Sequence, residues 1–208
     1  MTEPDWPSSP EVALKTLLEG NARFTSGERL HPNQDADRRT ASAPGQRPFA
    51  VLFGCADSRL AAEIIFDRGI GDLFVVRTAG HVVGPEVLGS IEYAVATLDT
   101  PLIAVLGHDS CGAIAATLDA LQSGVSPPGF MRDVVERVML SVLAARDSAN
   151  APADPDAAVE EHIHYTTDLL VQRSAVIAER VATGRLGVVG LCYQLAEGTV
   201  RRVSGHGV

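Results

Sequence analysis

Short, wholly apolar runs alternate along the chain with longer amphipathic stretches, and that rhythm predicts most of its elements. The runs at 48–54 (PFAVLFG), 73–80 (LFVVRTAG) and 101–107 (PLIAVLG) are apolar at nearly every position, as in strands buried on both faces. Between them, 58–69 (SRLAAEIIFDRG) reads as a helix capped by Asp57 or Ser58 and ended by Gly69. The stretch 85–99, opened by Pro85, reads as a stronger one. A further helix is predicted from Ser110 to about Leu121 and, after the loop QSGVSPPGF, two more over about 131–147 and 157–182, separated by SANAPADPD. The segment 184–203 predicts a strand, a turn at Glu197-Gly198 and a return strand. Near the start, Val12, Leu14, Leu17, Leu18 and Phe24 fall near helical spacing over 10–24, while 25–48 is polar and aperiodic.

Apolar strands alternating with helices predict an α/β fold, a mostly parallel β-sheet flanked by α-helices. One domain is expected over 1–208: an N-terminal helical arm and extended connection over 10–48, then an α/β core over 49–208. The arm presents an apolar face on a polar tether, which predicts that it serves dimerisation. No internal repeat is visible.

Composition narrows the function. The 208 residues are 46% hydrophobic, enough for one packed core, and the formal net charge of −9 argues against nucleic acid or an anionic membrane as a general partner. No apolar run approaches the ~20 residues that span a bilayer. The beginning, MTEPDWPSSPE, is acidic and proline-rich, unlike a leader peptide, so a cytoplasmic protein is expected. Three cysteines do not make a disulfide framework and fit a reducing compartment. Cys192 lies inside an apolar strand-like run and reads as core.

The other two cysteines stand elsewhere. Cys55 directly follows the strand ending at Gly54, with Asp57 and Arg59 behind it, and His108 follows the strand ending at Gly107, with Cys111 three residues on. In an open parallel sheet, functional residues gather beyond the carboxyl ends of strands, so both stretches can meet. Two thiolates and an imidazole suit Zn²⁺ and leave a fourth tetrahedral position for water or a carboxylate, a catalytic stoichiometry. Taken singly, Asp57, Ser58 and Ser110 are also ordinary caps and Arg59 an ordinary surface partner. The first strand–helix junction reads GCADSR, not the glycine pattern of a nucleotide-binding loop. His162 and His164 lack helical ligand spacing and read as a solvated or interface pair.

CADSR followed by GHDSCGA resembles the signature of the β-class carbonic anhydrases, and VVRTAGH (75–81), GSIEYAV (89–95) and VVGLCYQLAEGTV extend the likeness over about Glu11 to Val203. The resemblance implies that Cys55, His108 and Cys111 bind one zinc ion per chain and that Asp57 and Arg59 form the catalytic dyad beside it. It implies substrate-binding roles for Gln46, Phe74, Ala79, Tyr93 and Gly112, partly across a dimer interface, in a homodimer or dimer of dimers. The implied reaction is attack of zinc-bound hydroxide on carbon dioxide to give bicarbonate and a proton, with Asp57 a possible fourth ligand at low pH. Carbonyl sulfide or carbon disulfide hydrolysis on the same scaffold, and a non-catalytic zinc-binding interaction domain, are the alternatives. Thr78 stands where many members have asparagine. Leu52 replaces the tryptophan with which some bacterial members hold an inhibitory bicarbonate, so that regulation is not implied.

Overall fold

Two wholly buried strands, β1 (Ala50–Cys55) and β3 (Leu102–His108), form the centre of the sheet. They pair in parallel with Val51 opposite Ile103 and Gly54 opposite Leu106, so both end at the same edge. The computed structural model describes residues 6–145 and 154–208. The sheet has the order β2-β1-β3-β4-β5, with β2 at Leu73–Thr78, β4 at Gly187–Tyr193 and β5 at Val200–His206. All neighbours are parallel except β5, the return strand, which runs antiparallel to β4. The mostly parallel α/β architecture is thus the one the apolar runs predict.

The helices are α1 (Pro10–Ser26), α2 (Ala36–Ser42), α3 (Ala62–Ile65), α4 (Pro85–Ala96), α5 (Gly112–Ser123), α6 (Met131–Ala144), α7 (Pro155–Arg173) and α8 (Ala175–Ala182). They differ from the sequence expectation in four places, each with a local cause. First, α2 interrupts the supposed extended connection. The Asp35 carboxylate caps it by accepting from the Arg38 N–H at 2.7 Å, yet none of its residues is buried, so no apolar period announced it. Second, the helix expected over 58–69 shrinks to α3, because the Asp57 carboxylate accepts the Arg59 N–H at 2.9 Å and makes a turn instead of a cap. Third, Ser110 does not open α5. It has φ 52, and Cys111 is the N-cap. Fourth, the single helix expected over 157–182 breaks at buried Ser174, whose hydroxyl caps α8 by accepting from the Ile177 N–H and itself donates to Glu92 at 2.6 Å. The expected end of the helix at 147 and residues 148–153 of the expected linker SANAPADPD lie outside the described residues, while its Asp154 caps α7, which opens at Pro155.

Ala13, Leu14 and Leu17 of α1 are buried against their own chain, where α1 packs on α3, while Val12 is 48% exposed. Cys192 is buried in β4, as its apolar surroundings predict. Among the described residues, no helix is long and apolar enough to cross a membrane.

Candidate metal centre

The shared edge of β1 and β3 carries the chemistry. Cys55 is the last residue of β1, His108 the last of β3, and Cys111 the N-cap of α5 three residues later. Their two sulfurs and an imidazole nitrogen all lie within 4.8 Å of one another, and all three residues are buried. His108 Nδ1 lies 2.7 Å from the carbonyl of Asp109, which can only accept, so this nitrogen carries the proton. The other nitrogen, Nε2, is buried and has no hydrogen-bond partner. A buried imidazole lone pair aimed at two sulfurs, with its tautomer fixed from behind, is the arrangement that metal-ligating histidines use. The donor set therefore fits a thiophilic divalent metal, and zinc best.

The two thiols divide one charge between them. The neighbouring Cys111 thiol, with help from the Gly80 N–H at 3.3 Å, brings Cys55 down to about 4 against the effect of burial. Cys111 is pushed well above the usual thiol range by the same contact and by burial. At neutral pH the two sulfurs therefore retain one proton between them. Metal entry must expel that proton, so acid opposes binding. Zinc affinity is expected to fall about tenfold per pH unit between pH 8 and 6 for each proton displaced. Chelator competition at pH 6, 7 and 8 measures this, and a flat profile would contradict it.

Beside the cluster, Arg59 grips Asp57 with two parallel bonds, Nε to Oδ1 at 2.9 Å and Nη2 to Oδ2 at 2.7 Å. These bonds hold the Asp57 carboxyl far below the usual carboxylate range. Arg59 also reaches the carbonyl of Ser110 at 3.4 Å, tying the Cys55 turn to the Cys111 turn. Arg77 secures the same loop from β2, donating to the carbonyls of Cys55 at 2.9 Å and Asp57 at 2.5 Å. Sequence reasoning assigned Arg77 no role. Its one signal was a charged residue interrupting the apolar run of β2.

A cavity of about 510 Å³ opens above the centre, lined by Cys55, Asp57, Ala79, Gly112, Ala113 and Phe130 among others. Of the expected substrate residues, Ala79 and Gly112 thus lie at the site. Gln46 does not: it is exposed in a smaller cavity beside Trp6 and Arg38. Phe74 and Tyr93 pair with each other at 6.2 Å between ring centroids, near the β2 edge of the sheet, and Tyr93 is 47% exposed. The histidine pair also divides. His164 is exposed, but His162 is 2% exposed, which overturns its reading as a solvated or interface residue.

The carbonic anhydrase family model matches residues 50–200, the span that holds Cys55, His108, Cys111 and the Asp57–Arg59 pair. Carbonic anhydrase 2 of Mycobacterium tuberculosis (strain ATCC 25618 / H37Rv) is 55% identical over 191 residues, 92% of this chain and 91% of that protein. A carbonic anhydrase of Mycolicibacterium smegmatis is 54% identical over 193 residues, 93% of each chain. Among solved structures, the β-carbonic anhydrase CcaA superposes with a TM-score of 0.71 at 27% identity, covering 91% of this chain and 86% of that one. A Coccomyxa β-carbonic anhydrase in complex with acetazolamide gives 0.70 at 25% identity, covering 92% and 87%. With the parallel sheet, the buried Cys55–His108–Cys111 cluster and the fork-held Asp57 in place, these likenesses show that the chain belongs to the β class of the carbonic anhydrase family.

Proposed function

We propose that the chain catalyses the reversible, zinc-dependent hydration of carbon dioxide to bicarbonate and a proton, on one zinc ion held by Cys55, His108 and Cys111. The observation that carries this reading is the fork-held Asp57 carboxylate, which lines an apolar cavity together with Cys55 of the three-residue cluster. A non-catalytic zinc module has no use for such a carboxylate. Zinc supplies a Lewis acid there, bringing the pKa of water toward ~7. Asp57 stays ionised and so acts only as an acceptor. It takes the hydrogen bond of the attacking oxygen and turns that oxygen's lone pair toward the substrate carbon. Arg59 keeps the carboxylate off the open ligand position. Ala79, Gly112 and Ala113 offer carbon dioxide small, apolar walls, and the product proton leaves to solvent or buffer.

Carbonyl sulfide and carbon disulfide are linear triatomics open to the same attack. Stopped-flow hydration of carbon dioxide, set against hydrolysis of both sulfur compounds by one sample, decides among them. Carbon dioxide is expected to be turned over faster by orders of magnitude; a sulfur substrate that outpaces it reverses the assignment.

The chain is proposed to work as a homodimer or a dimer of dimers. Strand β2 is an edge strand whose Leu73, Phe74, Val75 and Val76 are only half-buried, an exposed pairing edge that a second copy would cover. Gln46, Phe74 and Tyr93, left outside the cavity in a single chain, are then available to the site of a partner copy. Light scattering at micromolar concentration is expected to give at least a dimer, and a fully active monomer would defeat this. Three free, buried thiols support a reducing, cytoplasmic setting.

A further inference from the structure

Gly80, in the turn after β2, is held at both of its backbone polar groups. Its N–H points at Cys55 Sγ, 3.3 Å away, and its carbonyl lies 2.7 Å from His162 Nε2. The other imidazole nitrogen, Nδ1, lies 2.7 Å from Ser141 Oγ. A carbonyl only accepts, so Nε2 carries the proton. Burial brings His162 down to about 4, so the ring is neutral and Nδ1 is an acceptor; the single Ser141 hydroxyl proton is shared between Nδ1 and the Val138 carbonyl, each 2.7 Å from Oγ. The relay is dry, with His162 2% and Ser141 0% exposed.

The parts come from distant segments. Helix α7 settles onto β3 and β4 because two glycines leave room for Ile163. A Cβ at Gly107 would sit 2.5 Å from Ile163 Cδ1, and one at Gly190 2.5 Å from Ile163 Cγ2. That close approach delivers the preceding residue, His162, to the Gly80 carbonyl. The turn it meets is left-handed at two successive residues, Gly80 at φ 60, which glycine adopts freely, and His81 at φ 39, which is strained. Such backbone persists when its surroundings over-determine it. The ring of His81 lies 4.4 Å from that of His162, packing over it.

We propose that His162, oriented by Ser141, is a positioning residue of the metal centre: it locks the Gly80 turn so that its N–H stays on the Cys55 sulfur. The inference rests on reading Cys55, His108 and Cys111 as metal ligands. An N–H on a thiolate draws charge from the sulfur, which favours its ionised form and leaves a bound metal more electrophilic. Neither histidine nor serine touches metal or substrate. Their effect reaches the centre only through the Gly80 backbone.

The test loads wild type, His162→Leu, His162→Gln and Ser141→Ala with Co²⁺ and records the thiolate-to-metal charge-transfer absorption, with Zn²⁺ affinity measured by chelator competition. Leucine removes the donor, whereas glutamine offers an amide N–H at similar reach. His162→Leu is expected to move the absorption to lower energy and to weaken zinc about tenfold. His162→Gln should return both toward wild type. A His162→Leu protein with unchanged absorption and affinity overturns the proposal, as does a glutamine variant that behaves like the leucine one. Should His162→Leu fail to fold by circular dichroism, Ser141→Ala decides. It removes the polar partner that holds the imidazole at Nδ1 and must shift the absorption the same way by a smaller amount; an unmoved absorption overturns the proposal. Wild type that takes up Co²⁺ without any thiolate absorption would instead refute the ligand assignment itself.

Discussion

Cys55→Ser is expected to purify folded, with less than about a tenth of the wild-type zinc and with carbon dioxide hydration no faster than buffer alone. The serine hydroxyl is not ionised near neutral pH, so the substitution removes one of the two sulfurs that share the negative charge of the cluster. What remains is an imidazole and a single thiol, two protein donors where the cluster offers three. The fold itself should survive. Phe53, Leu52 and Val51 of β1, Leu102 to Leu106 of β3 and Leu191 of β4 are buried independently of any metal. That separates this centre from a small zinc module, whose folding free energy is its metal-binding free energy. Metal analysis and circular dichroism on one sample check the prediction. Full zinc occupancy in Cys55→Ser would sink the ligand assignment, and an unfolded variant would show that the metal holds the fold together.

The second large effect belongs to the pair beside the ligands. Asp57→Asn and Arg59→Ala are each expected to lower kcat/KM about 10²-fold or more while zinc stays bound. Asparagine keeps the size of the side chain but puts a neutral amide where an acceptor-only carboxylate is needed. The arginine variant keeps the carboxylate but releases it from the fork that holds it at 2.7 and 2.9 Å. A freed, ionised Asp57 can then take the open ligand position, and the same closing is proposed for wild type in acid. The sign follows from the low pKa of Asp57. Acid removes the competing hydroxide long before it protonates the carboxylate, so activity rises with pH through the region above neutrality. X-ray absorption at zinc, in acid and in alkali, reads the ligand shell directly. Arg59→Ala should show the extra carboxylate oxygen at a pH where wild type does not. Wild-type activity and an unchanged shell in Arg59→Ala would remove the fork from the mechanism.

Much of this centre was legible in the sequence because it is built from residues immediately beyond two apolar runs. An apolar strand is the strongest pattern a chain carries, and Cys55 and His108 end β1 and β3, which pair side by side. What the sequence concealed depends on contacts between distant segments. His162 reaches the Gly80 carbonyl across 82 residues, by way of a helix seated on two glycines, and nothing in HIH announces that. Helix α2 buries no residue, so no period marks it. Asp57 looks like a cap in one dimension, yet its carboxylate is spent on Arg59, and the helix behind it shortens to Ala62–Ile65. Gln46, Phe74 and Tyr93 carry no local signal of whose cavity they serve. In the single chain they do not line the one above Cys55.

The central claim is that a metal at Cys55, His108 and Cys111 drives carbon dioxide hydration. The most direct measurement is stopped-flow hydration on one preparation as purified, after zinc removal by a chelator, and after zinc is restored. The account predicts about one zinc per chain, loss of hydration with the metal, and recovery in proportion to the zinc returned. A folded protein holding one zinc per chain that hydrates carbon dioxide no faster than buffer, or one whose hydration persists after the zinc has gone, would contradict it.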